Sequence, residues 1–322
     1  MNTNHSGSTI QVHGLRKSYG RLVVLDGIDF EIDQGTVFSM LGPNGAGKTT
    51  TVQIISTLIS ADSGSVRVAG HDLGREPDAV RAAIGVTGQF SAVDKFLTGE
   101  ENLVLMADLR HMGKGEGRRR AAELLDRFDL AEAAGKPVST YSGGMLRRLD
   151  LAMTLVGDPR IIFLDEPTAG LDPRSRRTMW QIVRGLVASG VTIFLTTQYL
   201  EEADQLADRI AVLDHGKLVA QGTPAELKRL VPGGHISLQF ADATELERAV
   251  LVLAPTSRDD EALTLQVPGS GDVRSLKAML DQLDEAGVEV DGLTVHTPDL
   301  DDVFLALTGR PDRTVPQEAV AR

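Results

Sequence analysis

No cysteine occurs among the 322 residues, which excludes disulfides, zinc–thiolate centres and cysteine nucleophiles and fits a reducing compartment. No run approaches the roughly 20 apolar residues that a membrane-crossing helix needs. The opening MNTNHSGST has neither the basic nor the apolar region of a secretory signal, so the chain is expected in the cytoplasm. A basic excess is missing too. The formal net charge is −12, which argues against a sequence-independent grip on nucleic acid, because that grip needs clustered Lys and Arg to displace counterions. The local basic runs, residues 118–120 and Arg147 with Arg148, read as solvated helix faces. None of the seven histidines has metal-site spacing, and His71, His111 and His215, in polar or turn surroundings, read as surface residues.

What is present is enough apolar material, 42% of residues, for one large core with a smaller one appended. Strand patterns at residues 10–15, 22–32 and 36–41 open the chain. Short β-branched runs at residues 84–87, 161–164, 191–196 and 210–213 then alternate with amphipathic segments, the pattern of a parallel sheet covered by helices. Residues 99–156 offer only helical patterns and read as an inserted helical subdomain. VPGG at residues 231–234 punctuates the chain. Beyond it a smaller α/β unit is expected: Ile236, Leu238 and Phe240 alternate like a strand, Leu276, Met279, Leu280 and Leu283 repeat at helical spacing, and residues 288–295 look extended. The expected organisation is a disordered start at residues 1–8, a main domain at 9–232, a C-terminal interaction or regulatory domain at 233–309 and a disordered tail at 310–322.

The strand ending at residue 41 runs into GPNGAGKTT: Gly42, Pro43, Asn44, Gly45, Ala46, Gly47, Lys48, Thr49 and Thr50. This is the spacing of a phosphate-binding loop between strand and helix. Glycines let successive N–H groups curl inward, and the following helix adds the positive end of its dipole, so a nucleoside triphosphate is the natural guest. Lys48 is placed to neutralise β- and γ-phosphate charge, and the Thr49 hydroxyl to ligate Mg²⁺. Further on, IIFLDEPTAGLD sets four apolar residues before two carboxylates at a strand's C-terminal end, where open α/β sheets bind ligands. Asp165 suits Mg²⁺, and Glu166 suits orienting, or taking a proton from, an attacking water.

Residues 141–145, YSGGM, resemble the signature of ATP-binding cassette (ABC) proteins, usually written LSGGQ. Ser142, Gly143 and Gly144 match, whereas Tyr141 and Met145 depart. Two glycines and a hydroxyl at a helix start leave N–H donors for a second subunit's γ-phosphate. The resemblance covers roughly residues 10–231. It implies an ABC-type nucleotide-binding domain with a parallel core sheet, an antiparallel β subdomain and the helical insertion. It also implies that two such domains close head to tail around two ATP molecules. Tyr19 matches the aromatic that stacks on adenine, Gln89 the glutamine that reaches Mg²⁺ and the attacking water, and Asp172 the loop that crosses the dimer interface. The family's switch histidine is replaced by Gln198, which can donate to a γ-phosphate but cannot take up a proton near neutral pH.

The segments YSGGMLRRLDLA, TTQYLEEADQLADRIAVLDHG and LDDVFLALTGR are similar to the ATP-binding subunits of daunorubicin- and doxorubicin-type drug-resistance exporters. That similarity implies an ATPase peripheral on the inner face of the cell membrane. Separate transmembrane permease subunits would carry the substrate, and Phe90, Phe96 and Leu97 would either be apolar contacts to them or pack within the helical subdomain. Importer ATPases and soluble ABC ATPases of DNA repair or translation are the alternatives. The acidic charge, the single phosphate loop and the absence of long heptad repeats weigh against the soluble class.

Overall fold

The computed structural model describes residues 8–88, 92–231, 234–269, 273–296 and 298–308. Gln89, Phe90 and the expected disordered ends, apart from Ser8, lie outside them. The chain divides into two units, Met1–Pro224 and Ala225–Arg322, ahead of the VPGG punctuation.

The first unit opens with β1 (Ser8–Tyr19) and β2 (Leu22–Asp33), a long antiparallel pair. Then come β3 (Val37–Leu41), α1 (Lys48–Ile55), β4 (Ser63–Val68), the two-residue β5 (His71–Asp72), α2 (Pro77–Ala83) and β6 (Ile84–Thr87). The helical insertion follows as α3 (Gly99–Leu109), α4 (Lys114–Arg127) and α5 (Gly143–Thr154). A capping box starts α3: the Thr98 hydroxyl accepts from Glu101 N at 3.2 Å while the Glu101 carboxylate accepts from Thr98 N at 2.8 Å. The unit ends with β7 (Ile161–Asp165), α6 (Pro173–Ala188), β8 (Thr192–Thr197), α7 (Leu200–Leu206), β9 (Arg209–Asp214) and β10 (Lys217–Gly222).

Two sheets result. One is antiparallel, in the order β2-β1-β4-β5. The other has six strands, β10-β9-β3-β8-β7-β6, parallel except for the β9–β10 pair. Every residue of β3, β7 and β8 is buried, which is why their apolar residues come in consecutive runs rather than alternating with exposed ones. In β7, Ile161 and Phe163 face the core shared with the antiparallel sheet, and Ile162 and Leu164 face the core under the helices. Phe30 of β2 stacks on Phe38 of β3 at 5.3 Å between centroids, and Phe194 of β8 meets Phe38 at 5.7 Å and Phe163 at 5.8 Å. This aromatic row joins the two sheets. On the opposite face Leu103, Leu124, Phe128, Leu149, Trp180 and Val183 seat the helical insertion against the sheet.

After α8 (Pro224–Lys228) the second unit is an antiparallel sheet of β11 (His235–Gln239), β12 (Ser257–Asp259), β13 (Thr264–Pro268) and β14 (Gly292–His296), in the order β12-β13-β11-β14. Helices α9 (Ala243–Val252), α10 (Val273–Glu285) and α11 (Leu300–Thr308) complete it. Ile236, Leu238, Leu246, Leu265 and Leu283 form its own core. Asp242 starts α9 by accepting from Thr244 N at 2.8 Å and Glu245 N at 3.0 Å.

Phe194→Ala removes a ring that meets Phe38, Phe163 and, at 5.9 Å, Phe30, and should cost about 3–5 kcal/mol. The fluorescence of Trp180, the chain's single tryptophan, follows the first unit in a urea titration and should report a correspondingly lower midpoint.

Candidate functional site

Strand register brings the two motifs to one end of the central sheet. Met40 and Leu41 of β3 pair with Thr196 and Thr197 of β8, and Thr196 pairs with Asp165 of β7. The loop that leaves β3 therefore sits across β8 from the two carboxylates. Two of its glycines, Gly42 and Gly47, are sterically required. A Cβ on Gly42 would lie 2.3 Å from the Leu213 carbonyl oxygen, and Gly47, at φ 112°, would place one 2.8 Å from the Val24 carbonyl oxygen. Gly47 provides no side-chain cap to α1, so the first-turn N–H groups of that helix are left for an acceptor from outside the chain.

Lys48 is almost fully buried and folds back over the loop. Its Nζ donates to the carbonyl oxygens of Gly42 at 2.8 Å and Pro43 at 3.1 Å and lies 3.8 Å from Glu166 Oε1. Burial lowers the pKa of this ammonium group, and the charges of Glu166 and Asp165 oppose that shift. Asp165 Oδ1 accepts from Thr196 Oγ1 at 2.5 Å and from Thr49 Oγ1 at 3.3 Å. Glu166 has a left-handed backbone at φ 50°, and its N–H donates to Thr196 O at 3.1 Å and Thr196 Oγ1 at 3.2 Å. Loop, base candidate and metal-ligand candidate thus share one cleft.

Arg147 corrects a sequence expectation. Neither it nor Arg148 lies on a solvated face, for their side chains are only 13% and 16% exposed. Arg147 donates to the carbonyl oxygens of Asp165 and Glu166 at 2.9 and 3.0 Å, of Pro167 at 2.9 Å and of Gly88 at 3.0 Å. Arg148 donates to the Phe128 carbonyl at 2.8 Å and to the Asp129 carboxylate at 3.0 Å. Arg120 is also mostly buried and donates to the Leu155 carbonyl at 2.8 Å, whereas Arg118 and Arg119 are exposed. Charge along a helix does not specify which backbone carbonyls pack opposite it, and here those carbonyls bury both guanidinium groups.

The signature residues start α5. Ser142 is the N-cap, its hydroxyl accepting from Met145 N at 3.3 Å, and Ser142 and Gly143 are exposed. Gly144 is packed so closely that a Cβ would sit 2.6 Å from Ser175 Oγ.

Comparison with known proteins agrees with this geometry. Residues 25–169 match the family model described as ABC transporter. The chain is 48% identical to the daunorubicin resistance ATP-binding protein DrrA3 of Streptomyces coeruleorubidus, over 97% of this chain and 99% of that protein. The chain belongs to the ABC transporter family. It is an ATP-binding, ATP-hydrolysing subunit of that family. It is also 38% identical to the Nod factor export ATP-binding protein I of Ralstonia nicotianae, covering 95% of this chain and 96% of that one. Among solved structures, an ATP-binding subunit of an ABC transporter superposes with a TM-score of 0.62 at 28% identity, over 69% of this chain and 93% of that one.

Tyr19, Gln198 and Asp172 are exposed in this ABC subunit. Tyr19, at the end of β1, is 51% exposed, with the Lys17 ammonium 5.5 Å from its ring centre. Gln198 is exposed just beyond β8. Asp172 serves as the N-cap of α6, accepting from Arg174 N and Ser175 N, each at 3.0 Å, and from Ser175 Oγ at 2.6 Å. These hydrogen bonds, above all those from Ser175, hold its pKa below the usual carboxylate range. Thr196 and Glu202 had no signal in the sequence motifs. Glu202 is fully buried and accepts from Thr168 Oγ1 at 2.8 Å and Trp180 Nε1 at 3.1 Å, and burial raises its pKa.

Gly42→Ala forces its methyl onto a backbone oxygen and should destabilise the chain by about 1–3 kcal/mol while distorting the loop. Titration with a fluorescent ATP analogue should show weakened binding, and unchanged affinity would contradict the close fit described.

Proposed function

We propose that this subunit works as a head-to-tail pair and couples ATP hydrolysis to export of a small hydrophobic compound through separate membrane-spanning permease subunits. The observation that carries the hydrolytic part is the meeting of Lys48, Thr49, Asp165 and Glu166 at one end of the central sheet. Residues Gly42 to Thr50 cradle the phosphates, and Lys48 exchanges its two carbonyl partners for phosphate oxygens. Tyr19 stacks on adenine through its exposed ring. Glu166 orients the attacking water and takes up its proton, while Gln198 donates to the γ-phosphate. Ser142, Gly143 and Gly144 complete the partner subunit's site, and Asp172 lies in the loop that meets that partner.

Mg²⁺ fits the donor set, because Thr49 and Asp165 offer adjacent hard oxygens and such ions are held by one or two carboxylates plus substrate phosphates. Gln89 would add a further oxygen. The ion supplies charge neutralisation at the β- and γ-phosphates.

Export rather than import is supported by the relatives, whose names refer to drug resistance and to Nod factor export. Among the described residues no helix is long and apolar enough to cross a membrane, so attachment to the inner face of the cell membrane would come through the permease. Phe96, 97% exposed, suits that contact. The C-terminal unit, with its own core and without a phosphate or nucleophile motif, serves as an interaction or regulatory domain that steadies the pair or the permease.

Glu166→Gln should retain ATP binding and lose about 10²- to 10⁴-fold in kcat, whereas Gln198→His should remain active. Equal turnover in Glu166→Gln and the parent would remove Glu166 from the chemistry. Affinity purification of the tagged chain from membranes should recover a polytopic partner, and recovery of ribosomes or DNA-repair proteins alone would overturn the exporter reading.

A further inference from the structure

We infer that Arg147 is a positioning residue for hydrolysis, a buried guanidinium that holds the Glu166 turn in its strained conformation and ties it to the signature helix. The inference rests on the reading of Glu166 as the group that acts on water.

Three consecutive carbonyl oxygens, those of Asp165, Glu166 and Pro167, accept from one side chain at 2.9–3.0 Å. Such convergence requires the turn to curl around a cation, and the left-handed φ of Glu166 is the backbone form of that curl. A residue with a Cβ adopts this φ at a cost and keeps it only where the surroundings over-determine it. Here Thr196 takes the Glu166 N–H from one side and Arg147 takes the carbonyls from the other. Without the guanidinium the three carbonyls lose their shared donor in a place that water barely reaches.

The side chain is itself anchored. Arg147 Nη1 lies 3.4 Å from Asp150 Oδ2, one turn along α5, and Asp150, 4% exposed, also accepts from Ala92 N at 3.0 Å. Arg147 Nη1 reaches Gly88 O at 3.0 Å as well. The pair therefore fixes the start of α5 to Gly88, to Ala92 and to the acidic turn together. Only a planar fork with five donors serves so many acceptors at once, so lysine is not an equivalent replacement. Arg147 makes neither a hydrogen bond nor an ion pair with the Glu166 carboxylate, and its bond to this residue is to the carbonyl oxygen. It acts on the carboxylate through the backbone.

Steady-state ATPase assays, binding of trinitrophenyl-ATP and thermal melting of the full chain test this with Arg147→Met, Arg147→Lys, Glu166→Gln and the Arg147→Met/Glu166→Gln double variant. Arg147→Met should lower kcat by about 10²-fold, the scale of a misplaced catalytic group. KM and trinitrophenyl-ATP affinity should stay within about two-fold of the parent. Arg147→Lys should recover only part of the rate. The double variant should turn over no more slowly than Glu166→Gln alone, because a residue that acts through Glu166 has nothing left to position. The inference falls if Arg147→Met keeps the parent's kcat, if its nucleotide affinity drops in step with kcat, or if it slows Glu166→Gln by the same factor as the parent. A fully active Glu166→Gln would refute the reading beneath it instead. If Arg147→Met does not fold, the same criteria apply to Arg147→Lys.

Discussion

Two carboxylates placed side by side at the end of a buried strand repel each other and lose water, and the rest of the first unit is arranged around that constraint. Asp165 is 3% exposed, and its oxygen is held by two threonine hydroxyls. Glu166 lies within 3.8 Å of the Lys48 ammonium, and Arg147 takes the carbonyls of both acids from below. Each cation is itself mostly buried, which disfavours its charge, and this is opposed by Glu166 and Asp165 for Lys48 and by Asp150 ahead of Asp165 for Arg147. The site is a balance of five charged groups, Lys48, Arg147, Asp150, Asp165 and Glu166.

That balance needs rigid backbones on every side. The parallel strands are buried on both faces and tied to the antiparallel sheet by the phenylalanine row, so Leu41, Thr196 and Asp165 keep their register. The helical insertion packs on the opposite face, and α5 delivers two things from its first turns. Ser142 and Gly143 stand exposed at its start, and Arg147 reaches inward from the next turn. A single short helix thus carries an outward-facing donor set and an inward-facing clamp.

Much of this was legible in residue order. The apolar runs at residues 84–87, 161–164, 191–196 and 210–213 became strands of the central sheet because runs of that length flanked by turn residues can be buried on both faces. The glycine loop and the LDEP turn could be read because their chemistry is local: the residues that bind are neighbours in sequence. Strands β4 and β10 were not foreseen, since both are partly exposed and their polar residues hide the pattern. In the second unit α9, β13 and α11 went unread, as short amphipathic segments need a partner surface before their burial makes sense.

By itself the sequence determined that a triphosphate loop, an acidic strand end and a glycine-rich helix start exist in this chain, because each depends on contiguous residues and on backbone preferences that contiguous residues set. The tertiary structure alone decided which groups meet. It brought Asp165 to Thr49 across 116 positions of chain and set the Thr196 hydroxyl against the same Asp165 oxygen. It also turned Arg147 from a presumed solvated charge into the donor shared by four carbonyls. Hydrogen bonds to backbone carbonyls leave no mark in residue identity, since every residue has a carbonyl, and only the packing of α5 against the end of β7 selects which of them the guanidinium finds.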